Sequence, residues 1–329
     1  MLIVVVCNYH ISNIEMEEIK GLSETWRFPP TTNRRGVSRH SHDLKYVVCF
    51  KSSLFGNNVM ITSDLHSHTF KTLDMIRTTT NINLSDWDII TLGDMAGDNF
   101  FGSDGDPTAF YVELQKVARS LLIVQGNHDL PPNPTRPEHT QFNTDSFLGD
   151  GEVRNTVHGT IGGVNGIISN KPHPYKMPRY KYMKFLRGLC NKGNIDIVAT
   201  HDAPKFFHND KECVGDDEIY QVITNILKPK VFMYGHCHHP CHTIHKGVHF
   251  LNADSRLILI NPPEDINLNI VSNTHPASIK LARPHNTSNI GSKLFVPVGM
   301  AAPTEMISAS AKRRLRKKKA QQKKTEILV

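Results

Sequence analysis

A chain of 329 residues can bury one large core or two modest ones, and 39% hydrophobic with 21% charged residues is the make-up of a soluble globular protein, not a fibre. No apolar run reaches the roughly 20 residues that a membrane-spanning helix needs, and the apolar start, Met1 to Val6, lacks a basic flank and reads as a strand, not a signal peptide. The net charge of +7 sits entirely in the tail, where Lys312, Arg313, Arg314, Arg316, Lys317, Lys318, Lys319, Lys323 and Lys324 face only Glu305 and Glu326.

In chain order, Leu2 to Val6 and Lys45 to Phe50 are expected strands, separated by a long loop from Phe28 to Asp43 rich in Pro, Thr, Arg and His. From Asn58 the pattern becomes regular. Val59 to Thr62 is a strand that runs into Asp64 and His66, and Phe70, Leu73 and Ile76 then recur at helical spacing. Asp88 to Leu92 leads to Gly93-Asp94, with a second helical period at Phe110, Leu114, Val117 and Ala118. Leu121 to Gln125 leads to Gly126-Asn127-His128-Asp129. Val157 to Ser169 reads as a glycine-punctuated hairpin, because its glycine spacing does not match a phosphate-binding loop.

Beyond it lies a basic, proline-rich loop, Lys171 to Arg179, followed by a helix with Tyr182, Phe185, Leu186 and Leu189 on one face. Ile195 to Thr200 is a strand ending at His201. The next helix has acidic residues in its first turn and Ile219, Val222, Ile223, Ile226 and Leu227 on the side expected to be buried. Val231 to Tyr234 then delivers Gly235-His236-Cys237-His238, and short strands follow near 248–251, 257–260 and 268–271. Strands alternating with helices at this spacing imply a layered α/β architecture.

Five strands thus end in side chains that can ligate metal: Asp64 and His66, Asp94, Asn127 and His128, His201, and His236 and His238. A single histidine at a strand end is more often structural, but five ends converging on one chemistry point to a shared site, since ligands bind at the C-terminal ends of strands in α/β sheets. The ordered set DxH, GDxxxD, GNHD, a later His and GHxH resembles the calcineurin-like metallophosphoesterase superfamily over about residues 58–256.

The resemblance implies a four-layer α/β/β/α sandwich with a two-metal site at the C-terminal strand ends. It further implies that Asp64, His66 and His238 hold one cation, that Asn127, His201 and His236 hold the other, and that Asp94 bridges them. His128 is implied as the acid that protonates the leaving group, with Asp98 behind it. Mixed imidazole, carboxylate and amide donors suit manganese, iron or zinc better than magnesium. The implied reaction is hydrolysis of a phosphoester by in-line attack of a metal-bound hydroxide, without a covalent enzyme intermediate.

Departures from the pattern narrow the branch. Asp98 comes one position late with no arginine after it, and Asp129 stands where the protein phosphatases carry glutamate. The expected activity is therefore that of a phosphodiesterase or phosphatase on nucleotide-like or other small phosphoesters. The alternatives are a nuclease or RNA-processing enzyme, a protein Ser/Thr phosphatase, and a non-catalytic scaffold. Lys171, Lys176 and Arg179 are candidate substrate contacts, and the tail is a candidate anchor for nucleic-acid phosphates or a nuclear import signal. Six cysteines without a secretion signal point to reduced thiols and an intracellular, cytoplasmic or nuclear, setting. A rival reading makes Cys237, His239, Cys241, His242 and His245 a structural zinc site. The expected organisation is an N-terminal extension over residues 1–57, a catalytic domain over 58–300 and a disordered basic tail over 301–329.

Overall fold

The computed structural model describes residues 16–19, 46–96, 104–133, 135 and 140–268. All belong to the first of the two units into which the chain divides, Met1–Asn273. The strand expected at 2–6, the loop at 28–43, Asp98 and the basic tail lie outside the described residues.

The first half holds β1 (Met16–Glu18), β2 (Tyr46–Ser52), β3 (Val59–Ser63), α1 (Thr69–Thr79), β4 (Asp88–Leu92), α2 (Thr108–Val117) and β5 (Ser120–Val124). Next come β6 (Val153–Thr156), β7 (Gly159–Val164), β8 (Ile167–Ile168), β9 (Lys176–Met177), α3 (Arg179–Gly188) and β10 (Ile197–Thr200). The last stretch holds β11 (Phe206–His208), β12 (Lys211–Cys213), α4 (Asp217–Gln221), β13 (Val231–Tyr234), β14 (His242–His245), β15 (Val248–Asn252) and β16 (Arg256–Ile260).

Among the described residues these strands build two six-stranded sheets, in the orders β1-β2-β16-β3-β4-β5 and β14-β15-β13-β10-β7-β6. Strands β3, β4 and β5 run parallel, as do β7, β10, β13 and β15, so each set delivers its C-terminal ends to one edge. Strand β2 is hydrogen-bonded between β1 and β16, so the first sheet includes the strand expected near Lys45 to Phe50, from the N-terminal extension.

Alternation along the strands sorts the core into layers, because successive side chains of a strand point to opposite faces. Val48, Phe50, Val59, Ile61, Ile258 and Ile260 of the first sheet meet Ile197, Ala199, Val231 and Met233 of the second. Their neighbours Val47, Cys49, Met60, Leu257 and Leu259 turn the other way, onto Leu73 and Ile76 of α1 and Phe110 and Leu114 of α2. On the far side, Val198, Phe232 and Tyr234 pack on Tyr182, Leu186 and Ile219 from α3 and α4. The order is helices, sheet, sheet, helices, as the four-layer expectation has it.

One helical expectation differs. Helix α4 is capped by Asp216, whose carboxylate accepts from the backbone N–H of Glu218 and Ile219, but residues Val222–Leu227 continue it as a π-helix. The wider winding shifts the phase of the face, and Ile226, expected inside, is 47% exposed.

Candidate metal centre

The loops that leave β3, β4 and β13 hold their polar residues in a conformation that side chains usually avoid. Asp64 (φ 57°), His66 (φ 47°), Asp94 (φ 53°) and His236 (φ 65°) all lie in the left-handed region. Such residues persist only where their surroundings over-determine them, and they concentrate at functional sites. The adjoining glycines are required by close approach. A Cβ on Gly126 would stand 2.2 Å from the backbone nitrogen and the carboxylate of Asp94, and one on Gly235 would stand 2.1 Å from Ser63 Oγ.

The loops are tied across the seam between the sheets. His201 Nδ1 donates to Leu92 O at 2.7 Å, and the backbone N–H of His236 donates to Asp64 Oδ2 at 2.9 Å. The result is that Asp64, Asp94, His201 and His236 bring one ligand atom each within 4.8 Å of one another. The second-sphere bonds also fix which ring nitrogen points in. His201 Nδ1 is committed to a carbonyl, so Nε2 faces Asn127 Oδ1 at 3.3 Å and Asp94 Oδ2 at 3.4 Å. His66 Nδ1 donates to Ala96 O at 3.3 Å, so Nε2 is the nitrogen it could offer to a cation.

Electrostatics tests whether this donor set suits a cation. Burial pushes the Asp64 carboxyl well up, and the nearby Asp254 and Asp94 carboxylates push it further. Burial also opposes charge on Asp94, yet His201, His66 and His128 around it carry its carboxyl well below the usual range. Burial alone would lower His201, but Asp94 and Asp64 outweigh it and push the ring up to about 10. His236 is lowered to about 4 by burial and by His201, which leaves a neutral imidazole able to ligate. Acidic oxygens packed this closely demand positive charge, which raises the His201 ring and which a divalent cation would supply in its place, with the neutral rings of His66 and His236 as further donors, so the residues fit such a cation.

The other residues singled out in the sequence fall in several places. Asn127 is buried beside His201. His128 sits next to His66, ring centroids 5.5 Å apart, and its backbone N–H donates to Asp94 Oδ1 at 2.7 Å. His238 stays outside the group of four, 57% exposed, with Nδ1 paired to the buried carboxylate of Asp254. Arg179 binds Asp216 and Glu218 at the start of α4. Lys171 is exposed, and Lys176 is half-buried on β9. No zinc module forms among the described residues 237–245: His239 spends Nε2 on Val214 O and Nδ1 on Tyr234 Oη, and His242 hydrogen-bonds His249.

Three acids escaped the sequence reading. Asp129, marked there only as a departure, accepts the backbone N–H groups of Asp94 (3.0 Å), Met95 (2.9 Å), Ala96 (3.2 Å) and Gly126 (2.8 Å), and so clamps the β4 loop to the β5 loop. Burial pushes its carboxyl up to about 6, with Asp94 adding to the shift, while the donors Gly126 and Ala96 hold it down. Asp254 orients His238. Asp104 accepts from His128 Nδ1 at 2.9 Å. Of these, only Asp129 carried a sequence signal, its place in the GNHD motif.

The calcineurin-like phosphoesterase family model matches residues 58–240, more than half of the chain, and the chain belongs to that family. It is a phosphoester hydrolase, of a family that typically works with divalent metals. Among solved structures it is similar in fold to the phosphopantetheinyl hydrolase of Mycobacterium tuberculosis, with 13% identity over 64% of this chain and 98% of that one (TM-score 0.43). It is likewise similar to the protein TT1561 of Thermus thermophilus, with 13% identity over 60% of this chain and 90% of that one (TM-score 0.41). No curated protein sequence matches the chain. No helix of the described residues is long and apolar enough to cross a membrane.

Proposed function

We propose that the protein hydrolyses small, nucleotide-like phosphoesters at a dinuclear centre. Asp64, His66 and His238 would hold one cation, Asn127, His201 and His236 the other, and Asp94 would serve both. The observation that carries this reading is the convergence of Asp64, Asp94, His201 and His236 within 4.8 Å at the ends of strands from both sheets. Bound cations supply Lewis-acid activation of water and neutralise the phosphoryl oxygens. The chain's own part is to place and orient. Leu92 O and Ala96 O keep His201 and His66 in the tautomer that ligates through Nε2, Asp254 does the same for His238, and the Asp129 clamp sets the spacing of Asp94 and Asn127. His128, beside the ligands and not among them, gives its proton to the leaving oxygen as the ester bond breaks.

The test is a screen of metal-stripped protein reloaded with manganese, iron or zinc against a small phosphodiester, a phosphomonoester, cyclic nucleotides and single-stranded RNA. Metal-dependent turnover of the small esters, lost in His128→Ala with metal content retained, is the expected result. Turnover indifferent to metal and to His128 would sink the reading, and preference for RNA would move the substrate class to polymers.

A further inference from the structure

The loop between β8 and β9 brings a further imidazole toward His128. His173 Nε2 lies 3.6 Å from Asp104 Oδ1, the same oxygen that His128 Nδ1 reaches at 2.9 Å. The carboxylate can only accept, so His128 must carry its proton on Nδ1 there. The backbone N–H of Tyr175 points at His173 Nδ1 at 3.5 Å, which puts the His173 proton on Nε2, toward Asp104. The side chain of His173 is 11% exposed, whereas Asp104 is 49% exposed.

Backbone bonds fix all three groups. Gly105 N–H donates to His128 O at 3.0 Å and Leu130 N–H to Gly105 O at 2.7 Å, so Asp104 travels with the His128 loop. On the other side, Lys176 N–H closes the turn onto His173 O at 3.2 Å, and Ile168 N–H donates to Asp202 Oδ2 at 2.8 Å, anchoring the His173 loop to the residue after His201. A half-exposed carboxylate with one partner could swing into water. His128 Nδ1 holds one of its oxygens by a hydrogen bond, and His173 Nε2 faces that same oxygen from the other half of the molecule at 3.6 Å, within electrostatic reach.

We propose that Asp104 and His173 are positioning residues that hold His128 with Nδ1 protonated and Nε2 turned to the leaving oxygen of the substrate. This rests on the role given to His128 above. In the step served, the oxygen of water bonds to phosphorus, the ester P–O bond breaks with its electron pair staying on the leaving oxygen, and that oxygen takes the Nε2 proton of His128. The second proton of the water goes to solvent, and His128 is reprotonated from water.

The test exploits how much the leaving group needs that proton. An alkyl leaving group departs as a strong base, whereas a nitrophenyl group departs as a stable phenolate. With metal-loaded full-length protein and a matched pair of esters, Asp104→Asn should slow the alkyl ester about 10²-fold in kcat and the nitrophenyl ester less than about threefold. His173→Phe should slow the alkyl ester about tenfold, and His173→Gln, which keeps an N–H for Asp104, should retain most of the rate. Metal content and melting temperature should stay at the wild-type values in all three. Equal slowing of both esters, or His173→Gln behaving as His173→Phe, would overturn the positioning role. A wild-type protein that cleaves neither ester would instead overturn the function proposed for the whole site.

Discussion

The same strands carry a second buried cluster of acid and imidazole at their opposite ends, and the two differ in charge balance. At the starts of β4 and β5, Asp88 accepts from Arg119 Nε (3.0 Å) and its terminal nitrogen (2.6 Å), from Ser120 Oγ (2.6 Å) and from His158 Nε2 (2.9 Å). One carboxylate meets one guanidinium and a neutral ring, and nothing further is called for. At the far ends, Asp64, Asp94 and Asp254 crowd together with the neutral rings of His66 and His236 and with a single raised ring, His201. A cavity of about 420 Å³ opens beside the balanced cluster, lined by Arg119, Arg154 and His158. Neither cavity volume nor the density of His and Asp therefore marks the chemical end of this fold. Unmatched negative charge and inward-facing ring nitrogens do.

Mutating the two ends should separate them. Asp94→Asn is expected to cost about 10³-fold or more in turnover and to strip bound metal, since it removes the carboxylate proposed to serve both cations. Asp88→Asn should leave metal stoichiometry and turnover unchanged while lowering the melting temperature. Elemental analysis and kinetics on both variants would break the comparison if Asp88→Asn also lost metal.

The next largest effect concerns the clamp. Asp129→Asn presents an amide N–H₂ to backbone donors that now meet a carboxylate, at a cost of about 2–4 kcal/mol by denaturant titration and with weaker metal binding.

Acid should act on the balanced end in a defined direction. Burial lowers the His158 pKa below that of a free ring, so its contribution is intact above about pH 6.5 and is lost as the ring protonates at lower pH. Burial opposes the charge of Asp88, but Arg119 and Ser120 prevail and depress its pKa, so its contribution is present above about pH 4 and lost below the depressed value. Hence the stability gap between wild type and His158→Gln should narrow from pH 7 to pH 5, and a constant gap would contradict this account. The smallest effect belongs to Arg179→Ala. Its guanidinium is more than half exposed even though Asp216 is buried, so the ion pairs with Asp216 and Glu218 are worth about 1 kcal/mol, and KM should not move. A raised KM would restore it as a substrate contact.

What could be read from the sequence was whatever a strand and its own end contain. Val59 to Thr62 running into Asp64, or Val231 to Tyr234 running into His236, shows both the element and the chemistry it delivers, because period and end group are local. The four-layer architecture followed once those motifs were recognised in order. The partners of Asp104, Asp129 and Asp254 come from segments far away in the chain or from backbone N–H groups, which leave no pattern. Pairing of β2 with β16 is hidden for the same reason. His173 looked like part of a basic loop, since nothing near it in sequence hints at Asp104. The exposure of Ile226 escaped because a 3.6-residue period was applied to a segment wound as a π-helix.

Two of the bonds that shape the centre, His201 Nδ1 to Leu92 O and His236 N–H to Asp64 Oδ2, cross from one sheet to the other. A cation held there would fasten the two halves of the sandwich together as well as serve the reaction. Because unfolding scatters those donors, each bound ion would add mass-action stability, about 2.7 kcal/mol when its free concentration is a hundredfold above its dissociation constant. Metal supply would then govern how long the protein lasts as well as how fast it turns over, and a chelator would act on it first as a denaturant of the seam.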